Sequence, residues 1–269
     1  MIPFVKAHAC GNDFLIVQES FVSGEEYDTL ARRLCDRNRG IGADGVEFFA
    51  RESERKGRIR LYNADGSIAE ISGNGTRCAA AWLAFETKAG PGDEITLQTD
   101  AGPRICHIIA REGNIFRIAS PMGVPEVRRR SLRLGDGEQI EGAAVTTGNP
   151  HFVIFAEEPD FQVNGRTWQS VGEEISRHSA FPRQTNVEFV RTVSPSEIEI
   201  RIYERGVGPT SSSGTGTCAA GSASIALQGL GKALHVTAPG GTQLFQWEGA
   251  GAEMLLTGPA EIICFGEAF

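Results

Sequence analysis

The sequence predicts an α+β protein of two pseudo-symmetric lobes, each a mixed or antiparallel sheet wrapped around a buried central helix. Three observations carry this. The stretches SGNGTRCAA (Ser72 to Ala80) and SGTGTCAA (Ser213 to Ala220) are close copies, one in each half of the chain. Each is followed by a nearly uncharged helical stretch, AAAWLAF in the first half and AAGSASIAL in the second, and a helix apolar on every side is a buried one. The order strand, glycine turn, loop copy, apolar helix, meander occurs twice, which marks duplication of a whole domain rather than of a short repeat. The expected lobes are 1–118, joined by the C-terminal strand 259–269, and 119–258.

The elements follow in order. FVKAHACGNDFLIVQ has apolar runs broken at Cys10-Gly11-Asn12-Asp13 and predicts strand, turn, strand. EEYDTLARRLCDR places Leu30, Ala31, Leu34 and Cys35 at helical spacing. NRGIGADG is a glycine-rich turn; VEFFA and GRIRLYNADG are strands, the second closing on Asp-Gly. After the first loop copy, a helix is expected to open at Cys78-Ala79-Ala80. EITLQTDAG, RICHIIARE and NIFRIAS then form a meander, and SPMGVPEV is a proline-bearing connection. In the second half, AAVTTGNPHFVIFA gives strand, turn, strand, and SVGEEISRHSAF a helix. TNVEFVRTVS and EIEIRIYERGVG are strands. The second apolar helix is expected from Cys218, and ALHVTAPGG, TQLFQWEG and AEMLLTG finish the sheet.

Composition excludes several classes. A hydrophobic fraction of 41% over 269 residues supports folded cores in two domains of ordinary size. A net charge of -8 argues against a nucleic-acid partner, whose binding domains usually show a basic face. The first residues lack the pattern of a signal peptide. No stretch reaches the ~18 apolar residues of a membrane span, so a cytoplasmic protein without a membrane partner is expected. The six cysteines form no C-x-x-C pair and have no histidine cluster beside them. Buried free thiols, and no metal site, are the expectation.

The paired loops suggest a chemistry. Glycines at a helix start let a ligand approach the backbone, and the first amides of a helix together with its dipole favour an anion. For either copy alone, a serine that merely caps the helix is the simpler account; two copies in equivalent settings favour a site. G-x-x-x-x-G-K-[ST] is absent, so the anion expected is a carboxylate rather than a nucleotide phosphate. Two lobes carrying one loop each are expected to face one another across a cleft. Two groups of one type on opposite sides of a bound carboxylate suit removal of an α-proton on one face and its return on the other. The helix ends would stabilise the carbanion, and no cofactor is needed.

The motifs resemble one family. NADGSIAEISGNGTRCAA (Asn63 to Ala80) and ERGVGPTSSSGTGTCAA (Glu204 to Ala220) are similar to the two signatures of diaminopimelate epimerase. HACGNDF, GIGADG at Gly40, TGNPH at Thr147 and the Thr-Asn pair at Thr185 match in order as well. The resemblance implies cofactor-free epimerisation of LL- and meso-diaminopimelate, a small amino-acid substrate and a possible homodimer. It also implies roles by position. Asn12, Gly73, Asn74, Glu204, Gly214 and Thr215 would hold the reacting amino-acid end. Asn63, Asn149, Asn186 and Arg205 would hold the distal end, arginine being suited to a bidentate carboxylate contact. His151 would stand beside the catalytic pair. Each has a simpler alternative: Asn63 and Asn149 as turn residues, His151 as a satisfied core histidine.

The sequence departs from the family where the chemistry is concentrated. The two catalytic positions, cysteine in the family, are Ser72 and Ser213 here, and Pro209 stands where a glutamate is usual. Cys78 and Cys218 lie farther along the helices and should point into the cores. A thiol ionises near ~8.5 and lower at a helix N-terminus; a hydroxyl ionises several units higher and works as a base only when another group takes its proton. His151 and Glu204 are the candidates for that help. Three readings stay open: an epimerase with slow or assisted serines, an isomerase of another amino acid with Glu204 as its single base, or an inactive amino-acid-binding protein. The serines could also have been introduced to trap a ligand, although Pro209 and the Ser211-Ser212-Ser213 run favour drift.

Overall fold

The computed structural model describes residues 1–69 and 72–269. Glu70 and Ile71, inside the first signature, lie outside the described residues. The fold divides into two compact units, Met1–Pro121 with Thr257–Phe269, and Met122–Leu256. The sequence expectation placed these limits at 118/119 and 258/259.

In the first unit the sheet closes on itself. Strand β1 (Ile2–Ala9) runs antiparallel to β2 (Asn12–Gln18), β2 parallel to β3 (Gly45–Arg51), and β3 antiparallel to β4 (Lys56–Asn63). The short β5 (Ile68–Ala69) pairs with the end of β4. Beyond β4 come β6 (Glu94–Thr99), parallel to it, then β7 (Gly102–Glu112) and β8 (Ile115–Pro121) as an antiparallel meander. The last strand, β17 (Met254–Ala268), pairs with both β8 and β1 and closes the ring. Helix α2 (Gly73–Glu86) fills the interior, packed with Phe14, Ile16, Ile95, Phe116 and Ile262. Helix α1 (Tyr27–Cys35) covers the outer face, its Leu30, Ala31 and Leu34 on Leu15, Val46 and Phe48.

The second unit repeats the plan. Strand β9 (Glu126–Arg133) is antiparallel to β10 (Gln139–Thr146), β10 antiparallel to β11 (Pro150–Phe155), and β11 parallel to β12 (Asn186–Ser194). β13 (Glu197–Glu204) follows antiparallel, with the short β14 (Gly208–Thr210) at its end. β15 (Ala233–Ala238) is parallel to β13, and β16 (Gly241–Trp247) returns antiparallel. Helix α4 (Gly214–Gln228) is the buried core helix, against Val153, Ile200, Phe245 and Leu256. Helix α3 (Trp168–Ser176) lies on β12 and β13 through Val171 and Ile175. No helix among the described residues is long and apolar enough to cross a membrane.

Three expectations change. The core helices begin at Gly73 and Gly214, not at Cys78 and Cys218. The glycines are helical because the serine ahead of each accepts a backbone hydrogen bond and starts the helix early. β9 is a full strand that starts at the end of the proline-bearing segment and runs through residues for which the sequence suggested no element: its EVRRRSLR pattern buries little beyond Leu132, and backbone pairing with β10 holds it. α3 stops at Ser176 rather than running to Phe181, where His178 instead bonds the carbonyl of Arg133.

Candidate active site

Both serines have the same local role. Ser72 is the N-cap of α2, and its Oγ accepts from the Gly75 amide at 3.1 Å. Ser213 is the N-cap of α4, and its Oγ accepts from the Gly216 amide at 3.3 Å. The capping account is therefore realised in both copies. It leaves the amides of Gly214 and Thr215, like that of Gly73, ahead of the first intrahelical bond, where an anion would be held. Cys78 and Cys218 lie fully buried within the two cores. Burial and the nearby Glu47 push the Cys78 thiol well above its ordinary range.

In the first unit, Asn74 donates to Asn12 Oδ1 at 3.1 Å, and Asn12 donates to Asp44 Oδ2 at 2.6 Å. Arg77, buried in the first turn of α2, donates to Asn74 Oδ1. Asp44 belongs to a charged network the sequence did not reveal: Arg37 reaches Asp13 at 2.7 Å and Asp44 at 2.8 Å, and Lys6 reaches Asp13 at 3.0 Å. Burial raises the Asp13 carboxyl, but the hydrogen bonds and charges of Arg37 and Lys6 outweigh it and hold the group below its ordinary value. Asn63 is exposed and donates to Ser67 Oγ at 2.9 Å, within its own turn.

In the second unit, a chain of contacts joins residues the sequence assigned to different ends of the substrate. Asn149 Nδ2 lies 3.5 Å from Thr215 Oγ1, while its Oδ1 accepts from Thr147 at 3.2 Å and meets His151 Nε2 at 2.9 Å. His151 Nδ1 meets Glu188 Oε1 at 2.7 Å, both side chains fully buried. Because Asn149 Oδ1 can only accept, Nε2 carries the hydrogen. Both ring nitrogens are thereby engaged. Asn186 is buried and accepts the Arg205 amide at 3.0 Å, while the Arg205 guanidinium reaches the carbonyl of Arg183 at 3.3 Å. Glu204 ends β13, in register with Gly208 of β14.

Two carboxyls were missed altogether. Glu47 on β3 and Glu188 on β12 are fully buried. Glu47 has no hydrogen-bond partner on either oxygen, and Glu188 none on Oε2, among the described residues. Desolvation pushes both above the ordinary carboxylate range; for Glu188 the nearby His151 opposes the shift. The signal was present in the sequence as a repeated tripeptide, Val-Glu-Phe at 46–48 and 187–189, with an acid set into a buried strand each time. No group of His, Cys, Asp and Glu suited to a metal ion stands together among the described residues.

Comparison with known proteins agrees with these motifs. The family model for diaminopimelate epimerase matches residues 4–127 and 143–263. The diaminopimelate epimerase of Pelotomaculum thermopropionicum is 36% identical, and that of Moorella thermoacetica 34%, each over 98% of both chains. Among solved structures, a predicted epimerase from Pseudomonas aeruginosa superposes with a TM-score of 0.74 at 14% identity, over 100% of this chain and 99% of that one. A probable proline racemase from Agrobacterium radiobacter gives 0.72 at 16%, over 100% and 93%. The structural likenesses speak to the fold; the sequence matches reach further, and the chain belongs to the diaminopimelate epimerase family.

Proposed function

We propose that this protein interconverts LL- and meso-diaminopimelate by exchanging the α-proton between two groups, without a cofactor. The observation that carries the reading is that both units build the same device: a serine N-cap, glycines one and three residues on, and a buried helix behind it. One serine serves each face of the α-carbon. When the α-proton leaves toward Ser72 or Ser213, the carbanion's charge spreads into the substrate carboxylate. The free amides at the helix starts then meet more negative charge than in the ground state, which is the condition for lowering the barrier. Asn12 and Asn74, hydrogen-bonded to each other, orient the amino-acid group together with Thr215 and Glu204. Asn149, beside Thr215, joins Asn63, Asn186 and Arg205 in holding the polar distal end.

The test is proton NMR of LL-diaminopimelate in D₂O with the purified protein. Loss of the α-proton signal with appearance of the meso isomer is the expected result. Exchange without inversion would leave one working base and defeat the two-sided scheme. Binding with neither exchange nor product would make the protein an amino-acid-binding relative.

A further inference from the structure

Glu47 and Glu188 occupy equivalent places. Each lies on the strand that runs parallel to its neighbour, Glu47 opposite Ile16 and Glu188 opposite Val153. Each presses against a glycine in the first turn of the core helix. A Cβ on Gly75 would collide with Glu47 Oε1 and stand 3.3 Å from Ser72 Cβ. A Cβ on Gly216 would stand 2.9 Å from Glu188 Oε1 and 3.3 Å from Ser213 Oγ. The missing side chain leaves room for each carboxyl against the first helical turn that its serine caps, with no direct hydrogen bond between Glu47 and Ser72. Glu47, Ser72, Thr76 and Thr99 also line one small pocket of about 10 Å³, on the scale of a single water. A fully buried carboxyl with no partner on either oxygen stabilises nothing, and a hydrocarbon of the same size would cost less.

We propose that Glu47 and Glu188 hold the protons of Ser72 and Ser213 during the reaction, acting through the hydroxyls as positioning residues in place of the thiol acidity the chain lacks. The proposal rests on the epimerase reading. As the substrate's α-carbon–hydrogen bond breaks, its proton passes to Ser72 Oγ. The serine's own proton passes to the Glu47 carboxylate, and the bonding electron pair stays on the substrate. On the other face, Glu188 gives a proton to Ser213 Oγ as that hydroxyl delivers its own to the carbon. Exchange with water then returns Glu47 to carboxylate and Glu188 to carboxylic acid. The reverse direction exchanges the two roles. Burial raises both carboxyls above the ordinary carboxylate range, with His151 opposing the rise at Glu188.

The experiment is a cycle of Glu47→Gln in the natural protein and in the Ser72→Cys protein. Circular dichroism verifies folding, and α-proton exchange of LL-diaminopimelate in D₂O is followed against pH. A thiol ionises without help. Glu47→Gln should therefore slow exchange by about a hundredfold in the serine protein and have little effect beside the cysteine. The rise of the rate with pH that follows Glu47 becoming carboxylate should disappear with Glu47 only in the serine background. An equal loss in both backgrounds would mark Glu47 as merely structural and overturn the proposal. A second readout needs no turnover: ultraviolet titration of thiolate in Ser72→Cys with and without Glu47→Gln, with the parent protein subtracted. Removing a neighbouring acid should lower the pH at which the new thiol ionises; an unchanged titration overturns the proposal. Coupled titration in a protein whose wild type exchanges no α-proton would instead sink the diaminopimelate reading and leave the Glu47–Ser72 link standing.

Discussion

Replacing Glu47 by leucine should stabilise the protein. Both carboxyl oxygens are buried without a hydrogen bond, and the side chain is fully enclosed between β3 and the first turn of α2. A buried polar group left unsatisfied costs about 1–3 kcal/mol, and leucine fills a similar volume with no polar atom. With an unfolding entropy of about 2.1 cal/mol/K per residue, that gain corresponds to a rise in Tm of about 2–5 °C for the whole chain. The gain should depend on pH. Glu47 in the folded state titrates above its unfolded value, so the stability it contributes is fully present below the unfolded value and is lost as pH rises through the folded one. Leucine has no such loss. Differential scanning calorimetry at pH 6 and pH 9 should therefore show a larger advantage for Glu47→Leu at pH 9. A lower Tm, or an advantage that does not grow with pH, would refute the picture of a buried, unpartnered carboxyl.

Three further outcomes follow from the geometry. Ser72→Ala and Ser213→Ala each remove a helix N-cap and should cost about 0.5–2 kcal/mol in urea unfolding; unchanged midpoints would mean that the two capping bonds contribute nothing. His151→Ala leaves Glu188 buried with neither oxygen paired and should cost about 1–3 kcal/mol, whereas a loss near zero would deny the His151–Glu188 contact. Titration with a thiol reagent at neutral pH should find one fast thiol, the exposed Cys264. The other cysteines are buried, with burial pushing Cys35 to about 12 and Cys106 to about 11, so several fast equivalents would contradict the packing.

How much was legible in the sequence depends on whether a signal is local. The two core helices could be read because their residues are apolar on all sides, a pattern that survives without knowledge of the partners. Their starting points could not. Whether a glycine ahead of an apolar run is loop or first turn is decided by the capping hydrogen bond from Gly75 to Ser72 or from Gly216 to Ser213. β9 was missed for a related reason: a strand of arginines has no alternating burial to betray it, and only its pairing with β10 makes it a strand.

The candidate site residues divide the same way. Ser72, Ser213, Asn12, Asn74, Asn149, Asn186, Glu204 and Arg205 stood inside short motifs whose order along the chain was informative by itself. The partnerships were not legible, because they join residues distant in sequence: Asn12 with Asp44 and Asn74, Thr215 with Asn149, His151 with Glu188. The sequence alone determined the duplication, the buried helices and the serine at the head of each loop copy, since each is a property of residue type and order. Only the tertiary structure decided that a buried carboxyl packs against the first turn of each core helix. Glu47 and Glu188 look like ordinary strand residues until the fold brings a glycine of the core helix against them, and burial then changes what a carboxyl does.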